Sequence, residues 1–479
     1  MSNLPFFKLE KLQYIDQFNK QKLLNCPSFN IQSLLDSMKH NNDDNGFLSD
    51  SINSSYYDSD EFSKKPCPNK NFSLIHLNIA SLQLHIDELV SLLQISNKNF
   101  DIICISETRL KEDQEILVNI DLPGYSYFHT PTKTACGGTL IYYKNYLSAK
   151  ILSRFCHSVE GIFESTFVEI KSNNKSMVVG NIYRHPKADE TFITNFLEPT
   201  LNKIGKMNKK SIISGDFNFD LIKYESHNPT QEFYDLFSSY SYRPCILQPS
   251  RVTYKSKTLI DNIFTNDLSC IVDGGNLTHK ISDHFSQFVF CDILSKALPK
   301  KVTKFKRDFK HFKNNEFLEE LARINWAQLE TMDTENAFNF FYKNYYDILN
   351  TMAPLKKMTH NEQRLKLRPW ISKGILKSIK VRNSLYKQMA INNSPEITSK
   401  YKQYRNLIVT LQKRSKELYY KSFFEKNKND VKKTWKGIKN ILSVSKKKNA
   451  PPLNILSTRT KYAQVIKKRL MPSMISSQM

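Results

Sequence analysis

Ser211-Ile212-Ile213-Ser214-Gly215-Asp216-Phe217-Asn218 joins a short apolar, β-branched run to a polar tip. The same construction recurs in Ile102-Ile103-Cys104-Ile105-Ser106-Glu107-Thr108, and a third polar group, Ser282-Asp283-His284, stands just before the apolar run Phe285 to Phe290. Runs of that length and composition read as buried strands, whose ends aim their last side chains into one rim of the fold. Carboxylates, an amide and an imidazole gathered at one rim can hold a hard divalent cation, orient a water and meet a phosphate. That is the chemistry of a metal-dependent phosphodiesterase.

Working outward, Leu74 to Leu77 is a strand ending at Asn78, and Ser81 to Gln94 carries Leu82, Ile86, Leu89, Val90 and Leu93 at helical spacing. Strands follow at Phe100–Ser106 and, opened by Gly137-Gly138, at Thr139–Tyr143. Thr166–Ile170 and Met177–Ile182 form a hairpin around Lys171 to Ser176, and Ser211–Gly215, Leu259–Phe264 and Phe285–Phe290 complete the strands. Only Leu82–Leu93 and Phe192–Ile204 read as intervening helices. Many strands with few crossovers predict a mixed or antiparallel α/β sandwich, not a doubly wound parallel sheet.

The flanks differ from this core. Residues 1–70 form a largely disordered lead-in, because His40 to Lys65 is dominated by Asn, Asp and Ser and has little apolar surface to offset ordering entropy. The strands end near residue 292, a helical connector covers 300–360 with a helix over Asn315–Leu349, and 361–479 is a basic helical region. The charge divides sharply. Residues 1–360 hold 41 Lys+Arg and 41 Asp+Glu, whereas 361–479 hold 29 and 5, the whole of the net +24. Such a concentration is an electrostatic footprint for nucleic acid, or less often for an anionic membrane. Within it, Arg368-Pro369-Trp370 is a break that can start a helix, and Tyr401, Tyr404, Ile408, Leu411 and Leu418 form a stripe with Ser415 as its polar gap. A packed hairpin with a solvated basic surface and a nucleic-acid platform both fit that pattern.

The eight cysteines never approach within four residues of one another, which excludes a local zinc knuckle or CxxC pair. Met1 to Gln13 lacks an apolar signal region and no apolar run reaches membrane-spanning length. The expectation is an intracellular protein without a membrane partner.

The candidate site residues in chain order are Asn78, Glu107, Tyr183, Asp216, Asn218, Asp261, Asp283 and His284. Glu107 is the first candidate ligand for Mg²⁺ (Mn²⁺ being the alternative), supported by Asn78 or Asp283, since Mg²⁺ takes one or two protein carboxylates and keeps waters. Asp216 flanked by Asn218 suits a base that takes a proton from water while the amide positions it. His284 suits charge stabilisation on the phosphorane, its tautomer fixed by a nearby carboxylate. Tyr183 and Asn78 can donate to non-bridging oxygens. Taken singly, each of these is more often a turn, a cap or a strand end; their combination at successive strand ends carries the reading.

These motifs, in this order, resemble the endonuclease/exonuclease/phosphatase superfamily over about residues 72–292. The closer resemblance is to the apurinic-type endonuclease domain of non-LTR, LINE-like retrotransposons of the jockey/CR1 sort. Leu77-Asn78-Ile79-Ala80, Ser106-Glu107-Thr108, Gly137-Gly138-Thr139-Leu140, Asn181-Ile182-Tyr183-Arg184-His185-Pro186, Gly215-Asp216-Phe217-Asn218, Leu259-Ile260-Asp261-Asn262 and Ser282-Asp283-His284 carry it. It implies a four-layered sandwich of two β-sheets flanked by helices. It implies Mg²⁺-dependent nicking of double-stranded DNA to leave a 3′-hydroxyl that primes reverse transcription, in the nucleus. Arg184 and the stretch around Arg251, Thr253 and Thr258 become the expected DNA contacts, with element RNA as a further partner for 361–479. No paired-Asp polymerase motif appears, and Ser457 to Met479 departs from the expected connector, so the sequence reads as a copy truncated or frame-shifted before the reverse transcriptase. Three other functions stay open: a catalytically silent fragment that binds nucleic acid through its basic helices, an abasic-site repair nuclease of the same fold, and a lipid or inositol phosphodiesterase of that fold, against which the basic tail and the lack of an apolar membrane-insertion loop speak.

Overall fold

The computed structural model describes residues 54–65, 72–111, 119–172, 175–189, 191–253, 256–292, 305–358, 368–391 and 394–441. The Asn/Asp/Ser-rich segment before Ser54, the hairpin loop at 173–174, residues 361–367 and Ser457–Met479 lie outside the described residues.

In chain order the strands are β1 (Ser55–Tyr57), β2 (Phe72–Asn78), β3 (Ile102–Ser106), β4 (Tyr125–Thr130), β5 (Thr139–Lys144), β6 (Ser148–Ile151), β7 (His157–Val159) and β8 (Phe163–Ser172). They continue as β9 (Lys175–Arg184), β10 (Lys210–Asp216), β11 (Arg243–Pro244), β12 (Arg251–Val252), β13 (Lys257–Thr258), β14 (Asp261–Thr265), β15 (Ile271–Leu277) and β16 (Ser286–Cys291). One sheet runs β1-β15-β16-β2-β3-β5-β4; the other runs β11-β14-β10-β9-β8-β6, with β7 also on β8. The pairs β1/β15, β2/β3 and β9/β10 are parallel and the other pairs antiparallel, so both sheets are mixed.

Period-two alternation explains how the sheets stack. Leu74, Ile102, Cys104 and Ile141 point inward from the first sheet and meet Val168, Val179, Ile212 and Ile263 of the second. On the outer face of the first sheet, Ile75, Leu77, Ile103, Ile105, Leu140 and Tyr142 pack on α1 (Ser59–Lys64) and α2 (Leu82–Ile95). On the outer face of the second, Val178, Ile182, Ile213 and Phe264 pack on α3 (Glu198–Gly205) and α4 (Asn228–Ser239). The result is the expected α/β sandwich in four layers. Because both faces of each sheet are covered, the strands read as continuous apolar runs.

Three expectations need correction. The intervening helices are not limited to Leu82–Leu93 and Phe192–Ile204: α4 is another, burying Thr230, Phe233, Tyr234 and Phe237 from a run that is otherwise largely polar. The lead-in is not uniformly unstructured: residues 54–65 belong to the sandwich. There β1 closes the sheet edge beside β15, and Phe62 is fully buried against Phe288 and Phe290, with Phe100 stacked nearby. Three aromatics in an otherwise polar segment supply the packing, with Tyr57 against Phe288 and Tyr56 against Phe285 beside the buried Phe62. The Asn315–Leu349 helix is divided into α5 (Asn314–Ala322) and α6 (Thr334–Met352), because the Asp333 carboxylate accepts the Glu335 and Asn336 N–H groups as an N-cap.

The basic region folds as α7 (Lys373–Ile391), α8 (Pro395–Lys426) and α9 (Val431–Ile441). Trp370, Ile371, Ile375, Ile379, Tyr404 and Ile408 join the core beneath α2, and Arg382 forms a buried 2.7 Å ion pair with Glu88. On α8 the buried positions are Tyr401, Tyr404, Ile408 and Gln412, whereas Leu418 is 47% exposed. A straight helix turns every 3.6 residues, so the 3.5-residue stripe drifts off the packed face. Ser415, the polar gap, donates to the Trp370 carbonyl at 2.7 Å.

Candidate active site

Strand register builds the site. On the second sheet Asp216 lies opposite Asp261 on β14 and opposite Tyr183 on β9, placing Tyr183, Asp216 and Asp261 in one row. On the first, Asn78 lies opposite Ser106 and Ser106 opposite Thr139, so Glu107 begins the loop beyond the same rim. That loop is fastened on two sides. The Ser81 N–H donates to the Glu107 carbonyl at 2.9 Å, and the Thr108 and Arg109 N–H groups donate to the Gly138 and Gly137 carbonyls. Gly138, at φ +84°, admits no side chain, because a Cβ there would lie 2.4 Å from the Thr108 hydroxyl. Glu107 (φ 51°) and Asn218 (φ 51°) themselves occupy left-handed backbone, where a side chain is strained.

Asn78 joins the two rows. Its Nδ2 donates to Asp216 Oδ2 at 2.7 Å and to Glu107 Oε1 at 3.0 Å, while Ser282 Oγ donates to its carbonyl. His284 Nδ1 lies 2.7 Å from Asp261 Oδ2 and 4.0 Å from Asp216 Oδ2. Burial works against the imidazolium, but the charge and hydrogen bond of Asp261, with Asp216 and Asp283 behind, outweigh it and raise His284 to about 9. Burial and the Asp261 carboxylate push Asp216 up to about 8, against the opposing pull of His284 and Asn78. Burial, reinforced by Glu107 and Asp216, holds the Tyr183 phenol well above its usual range, so it remains an O–H donor.

The structure therefore brings together Asn78, Glu107, Tyr183, Asp216, Asp261 and His284. Asn218 adjoins them, its N–H 3.2 Å from Asp216 Oδ1, but its Nδ2 donates to the Arg184 carbonyl and is not free to position water. Asp283 stands at the mouth, half-exposed and ion-paired with Arg251, 3.8 Å from His284 Nε2. Arg184 does not present itself as a surface DNA contact. It is buried, its guanidinium over the Phe219 ring and donating to the Ala188 carbonyl. Arg251 and Thr258 pair in the β12–β13 ribbon at the rim, and Thr253 is fastened to Ser256 at its turn.

Sequence reasoning missed four supporting groups. Ser250 Oγ donates to Asp261 Oδ2 at 2.7 Å, and buried His76 bridges Ser106 and Gln287. Arg109 binds Glu107 at 2.7 Å; its place two residues after Glu107 was a usable signal. Glu164, fully buried under the Gly137 turn, accepts from Thr132 and faces His185, and nothing in its strand run distinguishes it.

The donor set fits a hard divalent cation. Asp216, Asp261 and His284 offer atoms within 4.8 Å of one another, Asp261 Oδ1 is buried with no partner, and the crowding that raises Asp216 is what a cation relieves. An imidazolium repels a cation, so the carboxylates of Glu107 and Asp216 fit it better than the His284 end of the cluster.

A sandwich of two mixed sheets with this rim defines a phosphoesterase architecture, and the chain belongs to the Endonuclease/Exonuclease/phosphatase family, whose model matches residues 28–284. Among solved structures, it is similar to the endonuclease domain of TRAS1, a telomere-specific non-LTR retrotransposon (13% identity, 47% of this chain and 99% of that one, TM-score 0.39). It is also similar to an AP endonuclease from Leishmania major (15%, 54% and 98%, TM-score 0.39) and to a Neisseria 3′ phosphatase bound to a product DNA hairpin (13%, 46% and 99%, TM-score 0.34). No curated protein matches the chain. No helix among the described residues is long and apolar enough to cross a membrane.

Proposed function

We propose that the protein is a Mg²⁺-dependent endonuclease that nicks one strand of duplex DNA and leaves a 3′-hydroxyl. The supporting observation is the Glu107–Asn78–Asp216 bridge facing an imidazole charged by Asp261. Asp216 accepts a proton from the attacking water; Asn78 and Asn218 hold its carboxylate in place from the amide and backbone sides. His284, kept as an imidazolium by Asp261, places positive charge and an N–H toward the phosphoryl oxygens, and the Tyr183 hydroxyl adds a second donor. Glu107 and Asp216 are the groups that would hold Mg²⁺ or Mn²⁺; Asp283, expected as a further ligand, is instead ion-paired with Arg251 beside His284. The ion, when bound, supplies Lewis-acid stabilisation of charge developing on phosphate.

DNA as the substrate, the retroelement origin and a nuclear location rest on the motif series and on the basic region beside the sandwich. The catalytic unit is better drawn as 54–292 with α7–α8 than as 72–292 alone, because both flanks enter its core. Incubating supercoiled plasmid with the full chain tests the reading: nicked circles are expected with Mg²⁺ and none in EDTA. Asp216→Asn is expected to abolish them, losing at least about 10²–10³ in rate as for other removals of an active-site polar group. Full nicking by that variant would remove Asp216 from the mechanism.

A further inference from the structure

The family match ends at residue 284, yet α7 and α8 shape the surface beside the site. A cleft of about 770 Å³ opens between the sandwich and this helical hairpin. Thr253, Lys280 and Asp283 line it from the sandwich; Arg382, Lys402 and Arg405 line it from the hairpin. Ser282, which also lines the cleft, donates to the Asn78 carbonyl, so cleft and site share a wall.

Charge decides what this cleft fits. Arg382 is neutralised by Glu88 and Asp283 by Arg251, whereas Lys280, Lys402 and Arg405 form no ion pair with a carboxylate among the described residues. Lys402 and Arg405 are exposed and stand three residues apart on one helix face, while Lys280 lies 4.0 Å over the Tyr386 ring. Burial pulls Lys280 down to about 7, and an arriving phosphate would favour its charged form. Two exposed cations and a lysine ready to take up charge, above an apolar, tyrosine-bearing floor, suit a chain of phosphates with apolar sugar edges. We propose that this cleft seats the sugar-phosphate backbone of duplex DNA flanking the scissile phosphate, which makes the α7–α8 hairpin part of the nuclease's substrate surface. The inference rests on the nuclease reading above and adds to it a binding surface outside the matched family region.

Binding is measured apart from catalysis, by fluorescence anisotropy of the full chain with a labelled DNA duplex in EDTA. The variant pair Lys402→Ala/Arg405→Ala is compared with Lys413→Ala/Lys421→Ala, which removes the same charge on α8 away from the cleft. Removing each cation that neutralises a phosphate should weaken binding on the order of tenfold at 0.1 M salt and lower the log K against log[salt] slope by about 0.9. The cleft pair is expected to show two such decrements and the control pair little change. Equal decrements in both pairs, or none in the cleft pair, would overturn the proposal. So would a larger effect of the cleft pair on an RNA duplex of the same sequence than on DNA. If the wild type nicks plasmid while the cleft pair binds normally, the cleft assignment falls and the nuclease reading stands; absence of nicking with any divalent cation fails the nuclease reading on its own.

Discussion

Replacing Asp261 with Asn should change the charge of His284 with little change of shape. Asp261 keeps Ser250 as a neighbour in either form, but the asparagine carries no charge to hold the imidazolium. His279, buried beside the Arg382 guanidinium and without a carboxylate, is pulled down to about 3 by burial and, to a lesser extent, by that charge. His284, raised to about 9 from the ordinary histidine value near 6.5, has an environment that favours the charged ring by about 3 kcal/mol. In Asp261→Asn the midpoint should fall to about 6.5 or lower, with Asp216 and Asp283 moderating the drop. At pH 8 the charged fraction then goes from about 90% to about 3%, so nicking should fall roughly thirtyfold from this cause, with a smaller loss near pH 6. Histidine ring NMR titration of the metal-free protein, with His284→Gln supplying the assignment, reads the midpoint directly. A folded value above the unfolded one stabilises fully below about pH 6.5 and fades as pH rises through about 9. The stability gap between wild type and variant should therefore narrow across that window. A wild-type midpoint below 7, or an unchanged midpoint in the variant, refutes the reasoning.

Glu107→Gln should weaken Mg²⁺ binding by at least the roughly 10–100-fold typical of groups around a metal, read by calorimetry; unaltered affinity would place the ion elsewhere. Phe62→Ala should cost about 3–5 kcal/mol in urea unfolding, because the ring is fully buried; a loss under about 1 kcal/mol would remove 54–65 from the cooperative fold. Arg382→Ala strands the Glu88 carboxylate and should cost about 3–5 kcal/mol, most of it recovered by Arg382→Met with Glu88→Leu, a comparison made by the same unfolding curves.

The strands that place the site were legible because they are buried on both faces: β2, β3, β5, β8, β9, β10, β14 and β16 all coincide with apolar runs. Edge elements were not. Tyr125–Thr130, Ser148–Ile151 and His157–Val159 are half-exposed with mixed composition, and β1 is three residues long. Chain order indicated which polar groups end strands, but not that Asn78 would span the two sheets or that Arg184 would turn inward under Phe219. Those outcomes depend on register and on loop dihedrals, which periodicity does not encode. The docking of α7–α8 was equally hidden, since an apolar stripe shows that a helix packs but not on what.

Glu107 and Asn218 hold left-handed dihedrals that glycine would adopt freely. Each costs on the order of 1–3 kcal/mol against a relaxed backbone. Selection for heat tolerance alone should therefore drift toward glycine at both places and discard turnover on the way. A thermally hardened library of this protein should lose function first at the residues whose conformation is hardest to keep.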